Sequence, residues 1–391
     1  MPYPAGRRRR GEAERVSDLA RLRARIDRLD AALVRLLGER AEVALAIGRA
    51  KRARGGPAFD PGRERAVFDR LVRLGRDRFP GPGLEAIFRE IVSASRALEA
   101  PTRVSYLGPP GSVAHWAAAR RFGSSARLTP AESAESLLAS VEQGRDEFAV
   151  FSLEGLAEDP RFDAFDLLLS STARLFGEFH VEGGTVLLGR AARGLRTLYA
   201  HPAVLARCGD WLHARAGALE VRTTPSSQEA ARRARAGRGA ACLGTPVLAG
   251  DGLRVLAEDV ADDPRERRRF LILSTAEPPR SKRDKTALLT VLPHRPGHLH
   301  AILGVLARRK INLLWIETRA SRGRAWQHVF LFEIAGHAAE PRVARALRAI
   351  AGRAEFVKVL GSFAMDAPGG GGGPAARGRR RFGGTAAPRG R

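Results

Sequence analysis

From Val16 to about Arg54, apolar residues return at alternating steps of three and four, at Leu19, Leu22, Ile26, Leu29, Leu33 and Leu36. That is the period of a helix that lays a seam against other helices. Gly55, Gly56 and Pro57 end it, and Asp60-Pro61 supplies an N-cap and a first-turn proline for a second helix running to about Leu74 and stopping at Gly75. The run Phe79-Pro-Gly-Pro-Gly83 breaks the chain before a third helix over Leu84–Glu99. The first helix is too long for a small three-helix domain, so a second copy of the chain is expected to complete the core.

Pro101 marks a change of pattern. Val104–Leu107 reads as a strand leading into Gly108-Pro-Pro-Gly111 and a helix, and strand and helix alternate to about Ser274. This predicts an α/β region, residues 102–276, with two lobes around a cleft. After the polar linker Glu277–Arg283 the pattern is strand (Ala287–Leu292), helix (Gly297–Arg308), strand (Asn312–Thr318), strand (Trp326–Ile334), helix (Pro341–Ala351), strand (Phe356–Leu360). That βαββαβ order over residues 285–362 is the ferredoxin-like α+β plan. The predicted chain is therefore multidomain: an all-α three-helix domain over 16–100, the α/β region, and the α+β module. A basic tail (1–15) and a disordered Gly/Arg-rich tail (367–391) flank them.

Composition narrows the function. No apolar run of about 18 residues exists among the 391, which argues against membrane spans and secretion. Two cysteines, Cys208 and Cys242, lack disulfide or metal-ligand spacing and fit a cytoplasmic protein. The net charge of +25 is spread along the chain, with its densest runs, Arg7–Arg10 and Arg377–Arg381, in the expected tails. Nucleic acid is thus not the expected partner, and no cofactor or metal is expected. Only five cations are lysine: Lys51, Lys282, Lys285, Lys310 and Lys358. Where lysine survives against such an arginine bias, its compact ammonium is expected to matter.

Continuing the first helix's spacing from Leu36 puts Arg40 on the seam, ahead of Val43, Ile47 and Ala50. A buried guanidinium needs a carboxylate or an anionic ligand. Lys51, eleven positions on, returns to within roughly 20° of the same face about 16 Å along the axis, so both can reach one small molecule. Arg23 lands on another face and would serve the partner subunit's pocket. Asp60, Arg63 and Glu64 open the second helix, and Ser95 and Glu99 share a face of the third.

The arrangement Leu22-Arg23, Glu39-Arg40, Gly48-Arg-Ala-Lys51, Asp60-Pro-Gly-Arg63-Glu64-Arg65, Ser95 and Glu99 resembles the all-helical chorismate mutase domain over residues 16–100. The resemblance implies an intertwined dimer in which Arg40, Lys51 and Arg63 share a site with Arg23 of the other chain. The reaction is a concerted rearrangement of a dicarboxylate, so it needs preorganised cations and no nucleophile or metal. In these terms Arg23 and Arg40 clamp carboxylates, Lys51 donates to the ether oxygen, and Glu64 holds the ring hydroxyl. Glu99 stands where many relatives have glutamine. To donate to the ether oxygen it must be protonated, which predicts a raised pKa and activity favouring lower pH.

Residues 102–276 resemble prephenate dehydratase, whose fold is periplasmic-binding-protein-like. The matching stretches are Tyr106-Leu-Gly-Pro-Pro-Gly-Ser112 with His115, Asp166-Leu-Leu-Leu, His201-Pro202, Ser226-Ser227 and Arg269-Phe270. The implied substrate site comprises Ser112, His115, Glu154, Ser226, Ser227, Arg268, Arg269 and Phe270. The family's Thr-Arg-Phe triplet reads Arg268-Arg269-Phe270 here, its Pro-Ile-Glu-Asn-Ser segment reads Ser152-Leu153-Glu154-Gly155-Leu156, Ser112 replaces threonine and Ala114 replaces serine. Arginine cannot supply the proton that the threonine position serves, so impaired dehydration is expected. The third module resembles an ACT domain through Pro293-His-Arg-Pro-Gly297-His-Leu299 and Ile316-Glu-Thr-Arg319. This implies an effector site, phenylalanine being the family's ligand, at Gly297, His298, Leu299, Glu317, Thr318 and Arg319, with His298 replacing a small residue and Ala320 replacing proline.

Three readings stand at this point. The chain converts chorismate to prephenate and on to phenylpyruvate; or it is a mutase alone, with the α/β region as scaffold or effector-binding part; or it is a non-catalytic amino-acid sensor. An arogenate substrate stays open beside prephenate, as do a homodimer or tetramer.

Overall fold

The computed structural model describes residues 6–53, 59–75, 79–152, 164–215, 219–263, 266–320 and 328–366. The expected tail 367–391 and Glu154 lie outside them. Lys51 is described only as part of its helix. Among the described residues no helix is long and apolar enough to cross a membrane.

Three helices open the chain: α1 (Gly6–Ala53), α2 (Pro61–Gly75) and α3 (Gly81–Ala97). The helix α1 begins well before Val16, so Arg7–Arg10 extend a helix where a tail was expected. Asp60 caps α2, its Oδ1 accepting from the Arg63 amide at 2.9 Å, which satisfies a donor that the helix cannot pair internally. The seam residues Leu19, Leu22, Ile26, Leu29, Leu33 and Leu36 are 49–57% exposed. The chain's own helices leave that stripe uncovered among the described residues.

The α/β region has two five-stranded sheets. In the first lobe β1 (Arg103–Leu107), α4 (Val113–Phe122), β2 (Arg127–Ala131), α5 (Ala134–Glu142), β3 (Phe148–Phe151), α6 (Ala164–Ser170) and β4 (Arg174–Glu182) follow in sequence. The second lobe holds β5 (Val186–Gly189), β6 (Thr197–Ala200), α7 (Pro202–Leu205), α8 (Gly209–His213), β7 (Glu220–Thr223), α9 (Ser227–Ala236), β8 (Ala240–Gly244) and β9 (Arg254–Ala257). The strand β10 (Arg267–Ser274) then returns to the first lobe between β3 and β4, giving the orders β2-β1-β3-β10-β4 and β7-β6-β8-β5-β9. At the crossing from β4 to β5, Gly183 and Gly184 take φ values of 67° and 91°, a region that L side chains avoid. A Cβ on Gly184 would lie 2.4 Å from the Trp116 ring, so α4 packs directly on this crossing.

The last module is β11 (Asp284–Val291), α10 (His298–Arg308), β12 (Leu313–Ala320), β13 (His328–Ala335), α11 (Pro341–Ala351) and β14 (Phe356–Ala364), in sheet order β12-β13-β11-β14. The expected βαββαβ plan is present. Side chains alternate along each strand: Leu288 and Phe332 meet the helices, while Leu289, Leu331 and Phe363 join Leu175, Leu271 and Leu273 of the first lobe. Backbone meets backbone there, since a Cβ on Gly361 would fall 2.2 Å from the Leu175 carbonyl oxygen. Lys358 adds three donated bonds, to the carbonyls of Leu168, Leu169 and Ser171, closing the end of α6.

A single aromatic ties the helices to the first lobe. Phe59, just before the α2 cap, is 1% exposed. Its ring lies 5.1 Å from Phe122 and 5.2 Å from Phe148, with the guanidinium groups of Arg121 and Arg96 over it at 4.8 and 5.1 Å.

Candidate functional site

The first site forms where α1 and α3 run side by side. Arg40 reaches across to Ser95, its Nη1 donating to Oγ at 2.6 Å, while the Ser95 hydroxyl donates to the Ile91 carbonyl. Burial pulls the Arg40 pKa down, and no carboxylate is paired with it among the described residues. Four positions beyond Ser95, just past the end of α3, the Glu99 carboxylate lies against Gly48: a Cβ there would fall 1.5 Å from Oε1. Gly48 is thus the gap in α1 that admits Glu99. The structure thus brings Arg40 to Ser95 and Glu99 to Gly48 along the same pair of helices. Arg63 is exposed on the first turn of α2, and Arg23 is exposed far along α1.

Glu64 takes a position that the expected role does not anticipate. Its oxygens pair with Arg96 at 2.8 Å and with Arg121 of α4 at 2.9 Å, and its side chain is 13% exposed. A carboxylate so far removed from water requires such cations, so Glu64 fastens α2 to the first lobe.

The second site is the cleft mouth. Gly111, with φ 83°, leads into Ser112, which caps α4 by accepting from the His115 amide at 3.2 Å. The Gly111 amide donates to His115 Nδ1 at 3.0 Å, and the imidazole stacks on Tyr106 at 4.7 Å. Burial lowers the His115 pKa and pushes the Tyr106 phenol up to about 12. A neutral ring whose Nδ1 accepts must carry its proton on Nε2, so His115 presents a donor. Across the cleft, Thr245 donates to the Gly111 carbonyl at 3.0 Å, and Ser226 caps α9 by accepting from the Glu229 amide at 3.1 Å, with Ser227 as the first helical residue. Both capping serines keep a hydroxyl proton to give.

The triplet Arg268-Arg269-Phe270 does not act as one site. Strand alternation sends neighbours to opposite faces of β10. Phe270 stacks on Phe179 at 5.6 Å inside the lobe, so it is core and not a substrate contact. Arg268 shares that face at the end of the strand near the lobe crossing, with Nη2 3.2 Å from Glu266. Arg269 faces the opposite way, toward the C-terminal module. It donates to Glu178 at 2.8 Å and pairs with Glu333, and Lys285 bridges the same two carboxylates at 2.6 and 2.7 Å. The network continues: the Asp366 amide donates to Glu178 at 3.2 Å, and the Asp366 carboxylate meets His180 at 2.9 Å and Arg65 of α2 at 2.5 Å. Arg269 is thus a junction residue, and three domains meet at its cluster. Sequence reasoning misses this cluster and Phe59, although Lys285 is one of the five retained lysines.

In the third module a cavity of about 320 Å³ is lined by Leu292, Pro293, His294, Arg295, Pro296, His298, Leu299, His328 and Phe330. Gly297, at φ 86°, shapes the turn before α10. Of the expected effector residues, Glu317, Thr318 and Arg319 sit on β12 outside this lining, where Arg319 pairs with Glu317 at 2.8 Å.

This architecture has known counterparts. Residues 22–100 match the chorismate mutase type II family, residues 104–278 the prephenate dehydratase family, and residues 286–352 the ACT domain. A bifunctional chorismate mutase/prephenate dehydratase of Aquifex aeolicus is 33% identical over 355 residues, 89% of this chain and 98% of the relative. One from Pseudomonas aeruginosa is 32% identical, covering 88% and 97%. A crystal structure of prephenate dehydratase from Arthrobacter aurescens in complex with L-Phe superposes with a TM-score of 0.59 at 27% identity, over 67% of this chain and 90% of that one. Three matched domains in one order, and alignment over nearly the whole length of such relatives, place this chain in the bifunctional chorismate mutase/prephenate dehydratase family.

Proposed function

We propose that the chain converts chorismate to prephenate at its helical domain and prephenate to phenylpyruvate in its two-lobed domain, as a cytoplasmic enzyme of phenylalanine synthesis. The observation that carries the first step is Arg40, a half-buried cation held by a serine and in want of an anion. Chorismate is a dicarboxylate, and Arg40, Arg63 and Lys51 would bind its carboxylates while Arg23 enters from a second copy. As the ether C–O bond breaks and the new C–C bond forms, negative charge grows on the ether oxygen. Lys51 and a protonated Glu99 would donate to it there. The uncovered leucine stripe of α1 supports a homodimer that completes the site.

In the second step the ring hydroxyl leaves as water, the ring carboxylate leaves as carbon dioxide, and the electron pair of the broken C–C bond makes the ring aromatic. With Arg268 where relatives have a hydroxyl, the proton would come from His115 Nε2 or from the Ser112 or Ser226 hydroxyl. The cavity around His298 and Leu299 supports an effector site. L-Phe, the ligand in the Arthrobacter aurescens structure, is its proposed occupant.

The test is product analysis of the purified chain given chorismate. Phenylpyruvate formed as fast as chorismate disappears is the expected result. Prephenate accumulating would establish the mutase alone, with the α/β domain as scaffold, and no turnover of chorismate would overturn the reading.

A further inference from the structure

The helix α2 carries Arg63 and Glu64 in its first turn behind the Asp60 cap, yet none of its described side chains is fully buried. Packing against its own domain therefore leaves its orientation weakly determined. Three contacts at its start supply what is missing. Phe59 is sunk into the first lobe, Glu64 is gripped by Arg96 and Arg121, and Arg65 is paired with Asp366 beyond β14. Of these partners only Arg96 belongs to the helical domain.

We propose that Arg121, a residue of the dehydratase lobe, is a positioning residue for the mutase reaction and acts through Glu64; the inference rests on the mutase reading above. Arg121 lies at the last turn of α4, its guanidinium over the Phe59 ring. Its guanidinium and that of Arg96 each take one oxygen of Glu64, which fixes the carboxylate plane as well as its place. Successive helical residues diverge by about 100°, so fixing Glu64 determines where Arg63 points. Arg121 is only 16% exposed at its side chain, so little water competes for the contact.

The geometry also makes the inference testable without destroying the fold. Removing Arg121 leaves Glu64 paired with Arg96, so no buried charge is stranded. Methionine at 121 keeps an apolar stem over Phe59 and removes only the charge. In the full chain, Arg121→Met is expected to lower kcat/KM for chorismate about tenfold with its thermal midpoint little changed, the size of one lost charge-assisted contact. Arg121→Lys is expected to recover to within about threefold, since the charge returns without the planar fork. In the Glu64→Gln background, Arg121→Met is expected to change kcat/KM by less than about twofold, because the two residues act as a unit. Should Arg121→Met not fold, Arg121→Lys carries the same test: its smaller fall in kcat/KM must vanish beside Glu64→Gln. Native kcat/KM in the Arg121 variants, or an equal fall in both backgrounds, would overturn the inference alone. A native chain inactive on chorismate would overturn the mutase reading and this inference with it.

Discussion

Two arginines of this chain, Arg40 half-buried and Arg269 largely buried, meet opposite fates. At Arg40 burial depresses the pKa, and the partner is a serine hydroxyl. At Arg269 burial also works against the charge, but Glu333 and Glu178 overcome it and hold the pKa up. Desolvation is a cost common to both sites, and what offsets it differs. The Arg269 charge is answered inside the protein, which makes a joint between domains. The Arg40 charge meets no carboxylate among the described residues, which leaves it able to take an anion. A cation in a core is therefore evidence for a ligand only once its carboxylates have been counted.

The contrast can be strained most severely at the joint. Arg269→Met leaves Glu178 and Glu333 to share Lys285, and should cost about 3–5 kcal/mol in denaturant unfolding; a loss under about 1 kcal/mol would mean that the cluster is slack. A smaller effect is expected beside Arg40. Glu99→Gln places a neutral amide donor where the carboxylate stands, and should raise kcat/KM for chorismate about tenfold. An unchanged kcat/KM would remove Glu99 from the chemistry.

The mildest test is acid. Burial raises the Glu333 and Asp366 pKa values, but Arg269 and Lys285 at the first and His180 and Arg65 at the second outweigh it, so both lie below the usual carboxylate range. Depressed carboxylates contribute stability that is present above their unfolded pKa and lost as pH falls through the folded value. The thermal midpoint should therefore drop only below about pH 4, and in Lys285→Met, where Glu333 loses one of the cations that depress it, the acid-induced drop should be smaller. A midpoint indifferent to acid in both proteins would contradict this sign.

Much of the fold is legible in the sequence because it rests on local periodicity and punctuation. The α2 cap at Asp60, the break before α3, and the βαββαβ order all lie within a few residues of the glycines, prolines and apolar repeats that encode them. Arg40 is legible too, since helical phase alone puts a cation on an apolar seam. The domain junction is not: Phe59 finds Phe148, and Arg65 finds Asp366, through contacts that no local pattern records. Two signals nevertheless point there. The lysine bias singles out Lys285 and Lys358, whose compact ammonium groups reach two carboxylates and three carbonyls respectively. Strand alternation separates Arg269 from Arg268 and Phe270, whereas reading the triplet as one motif assigns all three to the cleft.

The most direct test of the account is Arg40→Met, with kcat/KM for chorismate and the thermal midpoint measured on the same preparation. A fall of about a hundredfold or more in kcat/KM, with the midpoint within a few degrees of native, is predicted for a cation whose answering charge is the substrate. Native turnover, or a collapse of the fold that accounts for the lost activity, would place Arg40 with Arg269 among the structural charges and contradict the account.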